Sequence, residues 1–187
     1  LRKLRTLSID KARFPVFTED LRADVEQETL LFIGSIIAEN RSVHDLLRAD
    51  HTFINDSLAE LYGLPVADPA KKAKDRSFRR VSLNGLPRRG LLTQPSILML
   101  TSYPNRTSPT KRGNWILEAI LGDEPPPPPA NVPQLDEAAA NSAALPLREQ
   151  LELHRTNQTC ASCHATMDPI GLGLENFDAI GRWRDQE

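Results

Sequence analysis

Both cysteines of the chain and one of its four histidines fall within five positions, Cys160-Ala161-Ser162-Cys163-His164. Two thiols separated by two residues and followed at once by a histidine form the c-type haem attachment pattern. Each thiol can close a thioether to one vinyl group of a single porphyrin, and the imidazole of His164 is then held beneath the ring as proximal iron ligand. In such a site the cofactor carries the redox change, while the protein supplies ligands, burial and electrostatics.

Other chemistries use the same residue types. A redox-active dithiol would sit near a βαβ pattern, which this sequence lacks. Structural zinc wants four ligands and commonly a second Cys/His pair. The remaining histidines, His44, His51 and His154, have no paired spacing. A short disulfide or two idle thiols complete the alternatives. The immediate His164 is what separates the haem reading from the rest.

A porphyrin needs further partners. Met99 and His154 are the candidates for the distal iron position. Met167, three residues beyond His164, should stay on the proximal side, and a five-coordinate or water-bound iron is the remaining option. Methionine would favour a higher potential and electron transfer, whereas an open position would permit peroxide or small-molecule chemistry. Arg182, Trp183 and Arg184 supply cations and an indole N–H that suit haem propionates, although two arginines can equally be surface charge. Gly171, Gly173 and Gly181 would let backbone approach a flat cofactor. Asp168, Glu175 and Asp178 read as capping and turn residues. The sequence contains no GxSxG elbow, phosphate-binding glycine loop or HExxH motif.

The elements that must position these residues are mostly helical. Thr18 is a suitable cap for a helix over about 19–39, with Leu21, Val25, Phe32 and Ile36 on one stripe and Asn40 as terminator. Ser42, with Asp45 three residues on, predicts a second cap. A further helix over about 56–62 ends at Gly63. His44 and His51 are expected in polar loop or cap roles. Residues 79–83 read as a short strand. Pro95 opens a short helix, and Ser108 with Pro109 opens another that ends before Gly122, with Trp115, Ile116, Ala119 and Ile120 facing inward. Pro146 starts a helix on which Leu147, Leu151 and His154 share an apolar face, and Asp168-Pro169 reads as a turn.

The expected organisation is therefore a helical region over 1–64, a basic solvated loop over 65–89, and a haem domain over 90–187. The last includes an extended proline-rich spacer over 124–133 and a small-residue stretch over 138–144 expected to be mobile. Opening on Leu1 within an amphipathic-looking run, the sequence is expected to be a piece of a longer chain, so a leader lost upstream decides nothing.

Composition narrows the classes. The 187 residues are 40% hydrophobic and 26% charged, ordinary for a globular protein. Lys and Arg number 23 against 25 Asp and Glu, which offers no case for nucleic-acid binding. The most apolar run, 29–38, is about half the ~20 residues a membrane-spanning helix needs.

Beyond the attachment motif, GLLTQPS at 90–96, TSPTKRGNW at 107–115, the proline strip and CASCHATMDPIGLGLENFDAIGRWR at 160–184 resemble the planctomycete-type cytochrome c domains. Those occur near the C-terminus of large exported proteins, and the segment before residue 65 resembles the helical domain that precedes them. The resemblance implies a mostly α fold: a small helical cytochrome c-like haem domain preceded by a helical region and a proline-rich spacer. It also implies one covalent haem c on Cys160, Cys163 and His164, and a further short domain beyond residue 187. The expected function is an electron-transfer module within a larger exported redox protein, serving a partner protein or a neighbouring domain of the same chain. The alternative is a peroxidase- or oxidase-like haem enzyme with an open distal iron. Because haem c is attached on the exported side of the bacterial cytoplasmic membrane, a periplasmic or extracellular location is expected.

Overall fold

The computed structural model describes residues 1–66, 76–126 and 145–185. Three expectations lie outside these residues: the lysines of the basic loop (Lys71, Lys72, Lys74), most of the proline-rich spacer, and the small-residue stretch at 138–144. Within them the chain is mostly α, with about half of it helical and a single small sheet. Contacts divide it into two compact units. The first comprises residues 1–107 and 177–184, and the second residues 108–176 with the last three residues.

In the first unit, α1 (Glu19–Ala38) begins where Thr18 Oγ1 accepts the Leu21 amide at 3.1 Å, with Glu19 and Asp20 at its positive end. It stops at Asn40, whose φ of 49° lies in the left-handed region. Leu21, Val25, Phe32 and Ile36 are all buried. The cap expected at Ser42 is displaced: α2 (Asp45–Arg48) starts from His44, and Ser42 Oγ instead accepts the His44 amide. Asn55 caps α3 (Asp56–Tyr62), which ends in a left-handed Gly63.

Between α2 and α3 lies a strand that periodicity does not reveal. β1 (His51–Ile54) pairs antiparallel with β2 (Arg79–Ser82), His51 opposite Ser82 and Ile54 opposite Arg79. His51 is therefore not a cap residue. It is buried between the rings of Phe32 and Phe53, at 5.6 and 6.0 Å.

The described arginines of the basic segment are likewise not simple solvated charge. Arg76 meets Asp24 and Arg79 meets Asp56, each at 3.1 Å, and Arg80 meets Glu39. Arg88 is buried with its guanidinium over the rings of Tyr62 (4.1 Å) and Phe177 (4.7 Å). Below it, Glu28 is fully buried and accepts hydrogen bonds from Tyr62 Oη and Thr52 Oγ1. The short helix α4 (Pro95–Leu100) completes this unit, and the core gathers Leu4, Val25, Ile54, Leu58, Met99 and Ile180.

The second unit is built on a helix pair. α5 (Pro109–Ile116) is capped by Ser108 and runs into a π-helical turn, Leu117–Leu121, that ends at a left-handed Gly122. The π turn shifts the inward face: Arg112, Gly113, Ile116 and Leu117 are buried, while Ala119 is exposed. α6 (Leu147–His154) buries Leu151. α7 (Gln158–Leu172) carries the cysteine motif, and Pro169 lies inside it rather than in a turn.

The crossing of α5 and α7 is unusually close because it is made at glycines. A Cβ on Gly113 would fall 1.8 Å from the Met167 carbonyl oxygen, and one on Gly171 the same distance from that of Pro109. Gly171 thus serves a helix–helix approach, and Gly181, at φ 84°, lies against Pro95 in the first unit. Arg112, wholly buried, donates to the Leu174 carbonyl at 2.7 Å and pairs with Glu175 at 3.5 Å, tying α5 to the end of α7.

Candidate functional site

Asn157 opens α7 by accepting the Thr159 amide through Oδ1 at 2.9 Å. Cys160, Cys163 and His164 therefore sit in the first two turns of one helix. Residues three and four apart share a helix face, so Cys160 lies beside both Cys163 and His164. Both thiols are half-buried and unbridged. Ser162 donates to the Thr159 carbonyl at 2.7 Å and is turned back onto its own helix.

One turn beyond His164, Asp168 contributes a carboxylate with no exposed surface. His164 Nδ1 lies 3.0 Å from Asp168 Oδ1 and 3.2 Å from Oδ2, and Thr110 Oγ1 of α5 donates to Oδ1 at 2.9 Å. An ionised carboxylate only accepts, so Nδ1 carries the proton of this bond, and in the neutral imidazole the lone pair is then on Nε2. This is the arrangement in which a second partner fixes the tautomer and orientation of a metal-ligating imidazole. Asp168 is thus a partner of the histidine and not the turn residue its neighbour Pro169 suggests. The sequence signal for this role is its i,i+4 spacing from His164.

His154, at the end of α6, stands edge-on to His164 with ring centroids 4.6 Å apart. Burial, followed by the neighbouring His164, holds its pKa below the usual histidine value. The two imidazoles, Asp168 and both thiols thus belong to the second unit. The other candidates belong to the first. Met99 is 1% exposed within its core. Arg182, Trp183 and Arg184 lie in the returning segment 177–184, where Trp183 packs edge-on against Phe177 at 5.1 Å. Met167 is buried on α7, its backbone against Gly113.

The donor set fits a covalently held porphyrin. Two unbridged thiols and a histidine with a committed Nδ1 lie within five residues of one helix. Among the described residues, no group of three or more His, Cys, Asp and Glu side chains is arranged to hold a metal ion by itself. No described helix is long and apolar enough to cross a membrane.

Fold and site define a mostly α protein with a CxxCH-bearing helix clamped to its neighbour through paired glycines. Residues 88–187, more than half of the chain, match the PSCyt3 family, described as a protein of unknown function (DUF1588), and the chain belongs to that family. Residues 1–64 match PSD4, also described as a protein of unknown function (DUF1592). No curated protein and no solved structure matches the chain.

Proposed function

We propose that the second unit is a c-type haem domain, with thioethers to Cys160 and Cys163 and His164 Nε2 as proximal iron ligand. The observation that carries this reading is the hydrogen bond from His164 Nδ1 to the buried Asp168, made on the helix that bears both thiols. A structural histidine needs no anchored carboxylate behind it, whereas an iron ligand gains orientation and basicity from one. The bound haem would supply one-electron chemistry at iron. The chain's own residues would attach it, fix the imidazole and shield one of its sides.

The preferred activity is electron transfer within a larger exported protein, in the periplasm or outside the cell, to a partner protein or a neighbouring domain. A second reading, a peroxidase- or oxidase-like centre with an open distal position, is favoured by Asp168 itself. A carboxylate behind the proximal imidazole increases the electron density it donates, which assists O–O cleavage.

Expression together with haem-attachment machinery tests both. Added mass of about 616 Da that is lost when Cys160 and Cys163 are both replaced by Ala supports the haem assignment, and its absence from the exported wild-type chain overturns it. A low-spin oxidised spectrum supports electron transfer, and a high-spin one supports the enzyme.

A further inference from the structure

The His164 ring is restrained at two places. Asp168 holds one atom of it, through the 3.0 Å bond from Nδ1. A bond at one ring atom does not by itself set the ring plane, and the last torsion of a histidine has no sharp preference of its own. A second contact meets the ring: the His154 imidazole stands against it at 4.6 Å between centroids, with the two planes 71° apart. Rings tilted in this way at this separation attract one another, and the contact opposes rotation.

His154 owes its place to the backbone. It is the last residue of α6, and only residues 155–157 separate it from the start of α7. That turn is pinned at three points. The Thr156 and Asn157 amides donate to the Leu153 and His154 carbonyls at 3.1 and 3.4 Å, and Thr156 Oγ1 donates to the Leu153 carbonyl at 2.7 Å. One turn before His154, on the same helix face, Leu151 is 1% exposed and seats α6. All of these residues belong to the second unit.

The separation also bears on ligation. Two imidazoles on opposite sides of one metal ion, each nitrogen about 2.0–2.1 Å from it, hold their centroids roughly 6 Å apart. At 4.6 Å and edge-on, the pair leaves no room for an ion between the rings.

We propose that His154 is a positioning residue for His164 and not an iron ligand: its ring, set by the turn between α6 and α7, fixes the plane in which the His164 imidazole presents Nε2. The consequence for iron rests on the haem assignment above, whereas the restraint on the His164 ring does not.

Two variants of the whole chain separate the ring contact from the nitrogen atoms. His154→Phe keeps an aromatic ring without a ligating nitrogen, and His154→Ala removes the ring. In the haem-free chain, NMR reads the exchange of the His164 Nδ1 proton with water. Exchange is expected to be as slow in His154→Phe as in wild type, and about threefold to tenfold faster in His154→Ala. In the haem-loaded, oxidised chain, electron paramagnetic resonance should show the wild-type spin state in both variants, with lines broadened in His154→Ala alone. Exchange alike in all three chains, or as fast in His154→Phe as in His154→Ala, overturns the proposal. A changed spin state in His154→Phe makes His154 a ligand and overturns it too. A wild-type chain that takes up no haem fails the haem assignment alone, since proton exchange is read without it. If His154→Ala does not fold by far-UV circular dichroism, His154→Leu gives the same comparison.

Discussion

His164 and Asp168 are joined by a 3.0 Å hydrogen bond from Nδ1 to Oδ1, one turn apart on the same helix, and Thr110 of α5 holds the carboxylate from the other side. The imidazole orientation is thereby set by two helices. The same helix pair is locked by glycine contacts at Gly113 and Gly171, so the contact that closes the second unit also aims the candidate iron ligand.

Replacing Asp168 with Asn should leave haem attachment intact, because Asn can still accept from Nδ1, but should raise the midpoint potential. A carboxylate favours the more positive oxidised iron. A charge-assisted bond worth about 1–3 kcal/mol corresponds to a rise of roughly 40–130 mV. Redox titration of the haem-loaded protein checks this. An unchanged potential with full haem content would remove the role given to Asp168 while leaving the attachment site standing.

Met99 is the sharper test of the distal position. Its side chain fills the first unit's core at 1% exposure. Met99→Ala should therefore cost about 2–5 kcal/mol in urea unfolding, whatever its relation to iron. Met99→Leu conserves volume and should cost less than about 1.5 kcal/mol. The absorption spectrum of the Leu variant is expected to match wild type. Loss from it of a wild-type band at about 695 nm would instead make Met99 the ligand.

A methyl group at Gly171 would collide with the Pro109 backbone, which cannot swing aside as a side chain can. Gly171→Ala should destabilise the protein by about 1–3 kcal/mol or more, read by chemical denaturation. Gly34, inside the C-terminal half of α1, has open space within 4 Å of the point where a Cβ would sit. Gly34→Ala should add about 0.5–1 kcal/mol.

Burial pushes the Glu28 carboxyl up to about 7, against an ordinary value of 4.5, although Thr52 and Tyr62 oppose the shift. A raised folded-state pKa means the folded chain keeps a proton that the unfolded chain releases. The contribution is full below pH 4.5 and is lost as pH rises through about 7. Urea unfolding at about pH 5 and about pH 8 should differ by up to ~3 kcal/mol from this group. Glu28→Gln, which keeps the acceptor for Thr52 and Tyr62, should flatten the dependence. A slope that survives the substitution would assign it elsewhere.

Much of the local structure is legible in the chain. Thr18, Ser108 and the Gly63 and Gly122 stops act as their types predict, because a cap is decided by one side chain and the few amides beside it. The strand at His51 is not legible, since four residues become a strand only by pairing with Arg79–Ser82, across a helix and a long connection. Pro169 signals a turn yet lies in a helix, and the face of α5 departs from its helical stripe because a π turn breaks the 3.6-residue period.

The proposed attachment chemistry is read from sequence alone, since thioether spacing and an adjacent imidazole are properties of five consecutive residues. Tertiary structure decides which partners those residues receive. It puts Asp168 behind His164 and sets Thr110 on the carboxylate, places His154 edge-on to the same ring, and assigns Met99 and the arginines of 182–184 to another unit. Contacts of this kind depend on how helices cross, and that crossing is set by where a glycine lets two backbones touch, which no local pattern records.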